Sequence, residues 1–138
     1  MTASVINNGE RIMALRKNES LEDYLECILI LGDKKPVVRG VDVAAEMGFK
    51  KSSVSVAMKN LREKEYITVS EEGYISLTDA GRQIAEMIYE RHRLLTDWFV
   101  KIGIDPKTAA DDACRLEHDI SQESFEAIKK YIMSHPAD

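Results

Sequence analysis

Apolar residues first fall into a helical rhythm at Leu21, Tyr24, Leu25, Ile28 and Leu31, steps of three and four that line one face of a helix. Ser20 stands where a hydroxyl caps such a helix, Asp23 three residues on completes a capping box, and Gly32 marks its expected end. The segment from Val41 to Met47 predicts a short second helix broken by Gly48. A third helix, capped by Ser52 or Ser53 and running to about Lys64, turns Val54, Ala57, Met58 and Leu61 inward. Two helices joined by a tight glycine-containing turn make a helix-turn-helix.

The period then changes. Tyr66-Ile67-Thr68-Val69-Ser70 and Tyr74-Ile75-Ser76-Leu77 are short β-rich runs around Glu71-Glu72-Gly73, the pattern of a hairpin, and a hairpin after a helix-turn-helix is a wing. Thr78 is placed to cap a long helix with Asp79 in its first turn, carrying Ile84, Met87, Ile88, His92, Leu95, Trp98 and Phe99 before Gly103. Asp105 and Pro106 suit the cap and first residue of a helix through His118, and Ser121 caps a last one that buries Phe125, Ile128, Tyr131 and Ile132. The expected fold is mainly α: residues 1–19 are an extension without a firm pattern, 20–78 a winged helix-turn-helix with a small β-hairpin wing, and 79–138 a helical domain.

Charge supports a division of labour. The chain has 138 residues and a formal net charge of -5, yet residues 34–65 hold 8 basic against 4 acidic groups, while residues 66–138 hold 8 against 14. A basic segment inside an acidic chain points to a DNA-facing module followed by an acidic one. On the third helix Ser52, Ser55, Lys59 and Arg62 fall opposite the apolar stripe with Ser53 beside them, small hydroxyls suited to base edges and long cations suited to phosphates. Arg39, Lys50 and Lys51 add candidate backbone contacts. The acidic wing tip, Glu71-Glu72, opposes phosphate and is expected to add little affinity.

Metal chemistry is the other signal. Cys114, Glu117 and His118 stand at i, i+3 and i+4, so that a thiolate, a carboxylate and an imidazole share one helical face. Asp23 and Glu26 repeat that spacing on the first helix, and His92 lies on the long one. Singly, each has an ordinary reading as cap, surface charge or small core residue; together they suit a divalent cation of intermediate hardness, since Mg or Ca avoids Cys and His. Cys27, among Leu25, Ile28 and Leu29, reads as a buried apolar thiol. No apolar run approaches the ~20 residues that span a bilayer, and the polar opening is unlike a signal peptide, so a cytoplasmic protein with no membrane partner is expected.

Ser20-Leu21-Glu22-Asp23-Tyr24-Leu25-Glu26, Ser52-Ser53-Val54-Ser55, Leu77-Thr78 with Gly81, Arg91-His92 with Leu94-Leu95, and Cys114 to His118 followed by Ser121, in this order, resemble the diphtheria-toxin-repressor and manganese-transport-regulator family. The resemblance implies a homodimeric, metal-activated repressor of operator DNA, controlling metal homeostasis through a winged helix and a helical dimerisation and metal-binding domain. The short chain resembles the manganese branch, without the SH3-like domain of the iron branch. The ligand set is mixed: Asp23 and Glu26 match the manganese branch, Cys114 the iron branch, and His92, Glu117 and His118 both. Two ancillary ligands of the iron branch align with Thr96 and Ala110, which cannot ligate. The carboxylates favour Mn(II) or Fe(II), while the thiolate shifts preference towards Fe(II), Co(II) or Zn(II).

Two other classes compete. A winged-helix regulator of the MarR type would sense an organic ligand without metal. An enzyme would use the metal to activate water, but the chain shows no Gly-rich phosphate loop and no H-E-x-x-H, so a non-enzymatic regulator is expected.

Overall fold

The computed structural model describes residues 8–136, with side chains from residue 21 onward. It divides into two compact units, Met1–Glu86 and Met87–Asp138, and the division falls within a helix.

In the first unit, α1 (Asn8–Lys34), α2 (Gly40–Met47) and α3 (Lys51–Glu63) precede a two-stranded antiparallel hairpin of β1 (Ile67–Val69) and β2 (Ile75–Leu77). The hairpin register sets Ile67 opposite Leu77 and Val69 opposite Ile75. Leu25, Ile28 and Leu31 of α1, Val43 of α2, Val54, Met58 and Leu61 of α3, and Ile67 and Ile75 of the wing share one buried core. Truncating a fully enclosed member such as Leu61 to alanine typically costs about 2–5 kcal/mol. Gly48 ends α2 in the left-handed region at φ 69°, donating its N–H to the Ala44 carbonyl, and this turn delivers α3. The Ile75 N–H also donates to the Val38 carbonyl at 2.7 Å, fastening the wing to the segment before α2.

Two helix starts differ from expectation. Ser20 lies inside α1, which begins at Asn8. The preceding stretch is rich in Glu, Arg, Met, Ala and Leu and holds no proline, so helix propensity carries the helix through the capping-like tetrad. The N-cap of α3 is Lys50, which makes no side-chain cap bond, and Ser52 and Ser53 fall in the first turn with exposed side chains.

α4 (Asp79–Lys101) begins in the first unit and continues into the second. The Thr78 hydroxyl accepts the Gly81 N–H at 3.1 Å and donates to the Glu65 carbonyl at 2.7 Å, capping α4 and tying it to the chain just past α3. Gly103, at φ 105°, follows the helix end. In the second unit, Asp105 caps α5 (Pro106–Asp119) by accepting the N–H groups of Lys107 and Thr108, and Ser121 caps α6 (Gln122–Ser134) by accepting that of Ser124. Its core takes Ile88 and Leu95 from α4, Ala109 and Ala113 from α5, and Phe125 from α6. The expected stripe of α6 is only partly buried: Phe125 is enclosed, Ile128 and Ile132 are half-buried, and Tyr131 is 55% exposed, stacked on His135 with ring centroids 4.0 Å apart. Among the described residues, no helix is long and apolar enough to cross a membrane.

Candidate metal centre and nucleic-acid interface

The buried line of α5 is Ala109, Ala113 and Glu117, each one turn after the last, so the third place of an apolar stripe is taken by a carboxylate with no exposure. Burying an ionised carboxylate is costly unless charge or hydrogen bonds meet it. Two imidazoles stand beside it here. His92 Nδ1, from α4, lies 2.8 Å from Glu117 Oε2, and His118 Nε2 lies 3.4 Å from Glu117 Oε1, so each ring faces a different oxygen. The His118 side chain is 2% exposed, whereas that of His92 is about one-third exposed and open to the surface. Imidazole nitrogens around a carboxylate form a donor set that a divalent transition metal accepts.

Arg91 holds this arrangement from behind. Buried at 5% exposure, it donates from Nη1 to the carbonyls of Glu117 at 3.0 Å and Ile120 at 2.8 Å, and from Nη2 to Gln122 Oε1 at 2.7 Å. The guanidinium therefore meets carbonyls that the end of α5 leaves open, where the helix dipole also favours a cation. It lies 5.3 Å from the centre of the Phe125 ring. In the sequence, Arg91 carries part of the family resemblance, which does not name this task. The signal was present: Ile84, Ile88, Arg91 and Leu95 form one helical stripe, and an arginine inside such a stripe needs buried acceptors.

The structure thus brings His92, Glu117 and His118 together, while Cys114, one turn before His118 on α5, is exposed. Asp23 and Glu26 lie in the first unit, half-buried and one turn apart on α1. They border a depression of about 200 Å³ with Cys27 and, from α2, Glu46, a carboxylate that helical spacing alone did not single out. Cys27 is a buried thiol as expected; burial, then the nearby Glu46 and Glu26 carboxylates, push its pKa up to about 11.

Arg39, Lys50, Lys51, Ser52, Ser53, Ser55, Lys59 and Arg62 are all exposed in the first unit. Between α3 and the wing runs a groove of about 500 Å³ whose cations are Arg39, Lys51, Lys59 and Arg62 and whose apolar lining includes Val54, Met58 and Ile75. Arg39 is held in place: its guanidinium lies over the Tyr74 ring at 5.0 Å and donates from Nη2 to the Tyr74 hydroxyl at 3.2 Å. Its backbone N–H donates to Asp42 Oδ2, and Lys35 pairs with Oδ1 of the same carboxylate. The Arg39 amide first, and then Lys35, hold the Asp42 carboxyl below its usual range. Glu72 also borders the groove, its carboxyl lowered by its own backbone amide and by Ser70, so the wing tip brings negative charge to an otherwise basic rim.

Residues 18–75 match a family described as the iron dependent repressor, N-terminal DNA binding domain, and residues 78–137 match the iron dependent repressor, metal binding and dimerisation domain. An uncharacterized HTH-type transcriptional regulator of Methanocaldococcus jannaschii is 32% identical over 117 residues, covering 83% of this chain and 94% of that one. The transcriptional regulator MntR of Salmonella typhimurium is 28% identical over 130 residues, covering 94% and 83%. Among solved structures, a manganese-dependent transcriptional repressor in complex with manganese superposes with a TM-score of 0.72 at 28% identity, covering 81% of this chain and 52% of that one. ScaR with bound Zn2+ gives 0.71 at 27%, covering 85% and 55%. The chain spans about half the length of those two structures.

Proposed function

The chain belongs to the iron-dependent repressor family, and on that premise we propose that it is a metal-activated transcriptional repressor that binds palindromic operator DNA as a homodimer in the cytoplasm and controls metal homeostasis. The family consists of DNA-binding regulators, not enzymes. The observation that carries the reading is the fully buried Glu117 carboxylate faced by His92 and His118 within the domain matched as metal binding.

The proposed ligands are Asp23 and Glu26 from the DNA-binding unit and His92, Cys114, Glu117 and His118 from the second unit. Their sequence spacing and the donor chemistry at Glu117 support this set. A divalent transition metal, Mn(II) or Fe(II) first and Co(II) or Zn(II) as competitors, would supply the positive charge that such carboxylate, imidazole and thiolate donors are suited to hold. Without it, the carboxylates repel one another and loosen the arrangement that sets the spacing of paired recognition helices. The chain's own residues do the rest: Arg91 fixes the end of α5, and α3 presents Ser52, Ser53, Ser55, Lys59 and Arg62, with Arg39, Lys50 and Lys51 on the flanks, to the duplex. Exposed apolar side chains at Leu116, Tyr131 and Met133 support a second copy as the partner of the metal-binding unit.

Operator binding titrated with Mn(II), Fe(II), Co(II) and Zn(II), with bound metal measured alongside, tests the proposal. Metal is expected to tighten binding at least tenfold, and Glu117→Ala or His118→Ala to abolish the gain. Equal affinity with metal and with chelator would overturn it.

A further inference from the structure

The outermost line of α3 is Ser52, Val56, Lys59 and Glu63, at i, i+4, i+7 and i+11 and opposite the buried Val54, Met58 and Leu61. Three of these four are polar, as the solvent side of a helix demands. Val56 is not. It is 61% exposed, against 52% for Val41, 49% for Phe49 and 39% for Val37, the other large exposed apolar residues described in this unit. It takes no part in the core and does not line the groove beside the wing. Helix stability offers no reason for it, because a β-branched residue in mid-helix is a poorer choice than Ala, Lys or Glu.

A major groove displays one apolar group at its base edges, the 5-methyl of thymine. Valine matches that methyl and nothing else there, since it neither donates nor accepts a hydrogen bond. Pressed against cytosine it would strand the exocyclic amino donor as well as lose the methyl contact. Its neighbours on the same face, Ser52, Ser55 and Lys59, supply hydroxyl and ammonium groups for adjacent acceptors and phosphates.

We propose that Val56 is a specificity-determining residue that packs on a thymine methyl in each operator half-site and so fixes thymine at that position. The inference rests on the reading that the metal-loaded chain binds operator DNA through α3, and the test separates the two.

Duplexes that bind the full-length, Mn(II)-loaded chain are first selected from a random pool, and each thymine is then replaced by deoxyuridine, which removes only the methyl. One position per half-site is expected to weaken wild-type binding about fourfold, the worth of one buried methyl group. Val56→Ala, which removes only surface bulk from a helix, is expected to melt like wild type, to bind the parent duplex more weakly, and to be indifferent to deoxyuridine at that position. Indifference of the wild type to every deoxyuridine replacement, or undiminished sensitivity in Val56→Ala, would overturn the role of Val56. Failure of the metal-loaded chain to select any duplex would instead overturn the DNA-binding reading on which the role rests.

Discussion

At Gly81 a hydrogen is all that fits. A Cβ built there would lie 2.0 Å from the Tyr66 carbonyl oxygen and 2.9 Å from its carbon, and those are backbone atoms that cannot swing aside. The close approach lets α4 start against the wing while the Thr78 hydroxyl accepts the Gly81 N–H, and the Thr78 N–H donates to that same Tyr66 carbonyl. Gly81→Ala is therefore expected to destabilise the first unit by about 1–3 kcal/mol or more, the usual cost of overpacking, despite alanine's better helix propensity. Urea unfolding checks the sign, which separates close backbone packing from propensity. The distinction was not legible in the sequence. A glycine three residues after a capping threonine reads as a weak spot in a helix, because the carbonyl that explains it belongs to Tyr66, just before β1.

Among the elements, α5 depends most on a neighbour for its ending. Arg91 reaches it from α4 and donates to the carbonyls of Glu117 and Ile120, so the backbone that carries the Glu117 and His118 side chains is fixed by a cation rather than by a glycine cap. Arg91→Met keeps much of the bulk but removes these donors, and is expected to cost about 1–3 kcal/mol for the stranded carbonyls. Because the same contact orients the proposed ligands, metal affinity should fall by about 10–100-fold, with Arg91→Lys intermediate. Calorimetric metal titration beside thermal melting measures both; unchanged affinity in Arg91→Met would show that α5 holds its ligands unaided. The caps at Thr78, Asp105 and Ser121 were legible because each acts on backbone N–H groups two or three residues away. The Ser20 tetrad has the same lettering yet lies within α1, since propensity on both sides outweighs a local cap. The α6 stripe misled for the opposite reason: periodicity tells which residues share a face, whereas burial depends on what covers it, and Tyr131, although stacked on His135, is 55% exposed. The candidate donors stand out in the sequence because thiol, carboxylate and imidazole at helical spacing are uncommon. That Glu117 rather than Cys114 would be the enclosed member depended on the phase of α5 set by Ala109 and Ala113.

For the molecule as a whole, the uneven charge assigns tasks. Residues 34–65, with 8 basic and 4 acidic groups, hold the proposed DNA contacts, while the remaining residues, with 11 basic and 20 acidic groups, make the chain acidic as a whole. A cation that binds the folded chain and not the unfolded one stabilises it by mass action, about 2.7 kcal/mol at one hundred times its dissociation constant. The melting temperature is accordingly expected to rise with Mn(II) concentration in the wild type and to stay flat in Glu117→Ala; equal responses in differential scanning fluorimetry would separate metal binding from this carboxylate. The enclosed Glu117 then has a consequence for the protein's lifespan in the cell. On the proposed reading, in which a metal ion complements that carboxylate, the chain unfolds more often when the ion is depleted, and unfolded chains are what proteases clear. Starvation for metal would thus lower the number of repressor molecules as well as the activity of each, and refilling the pool would await new synthesis.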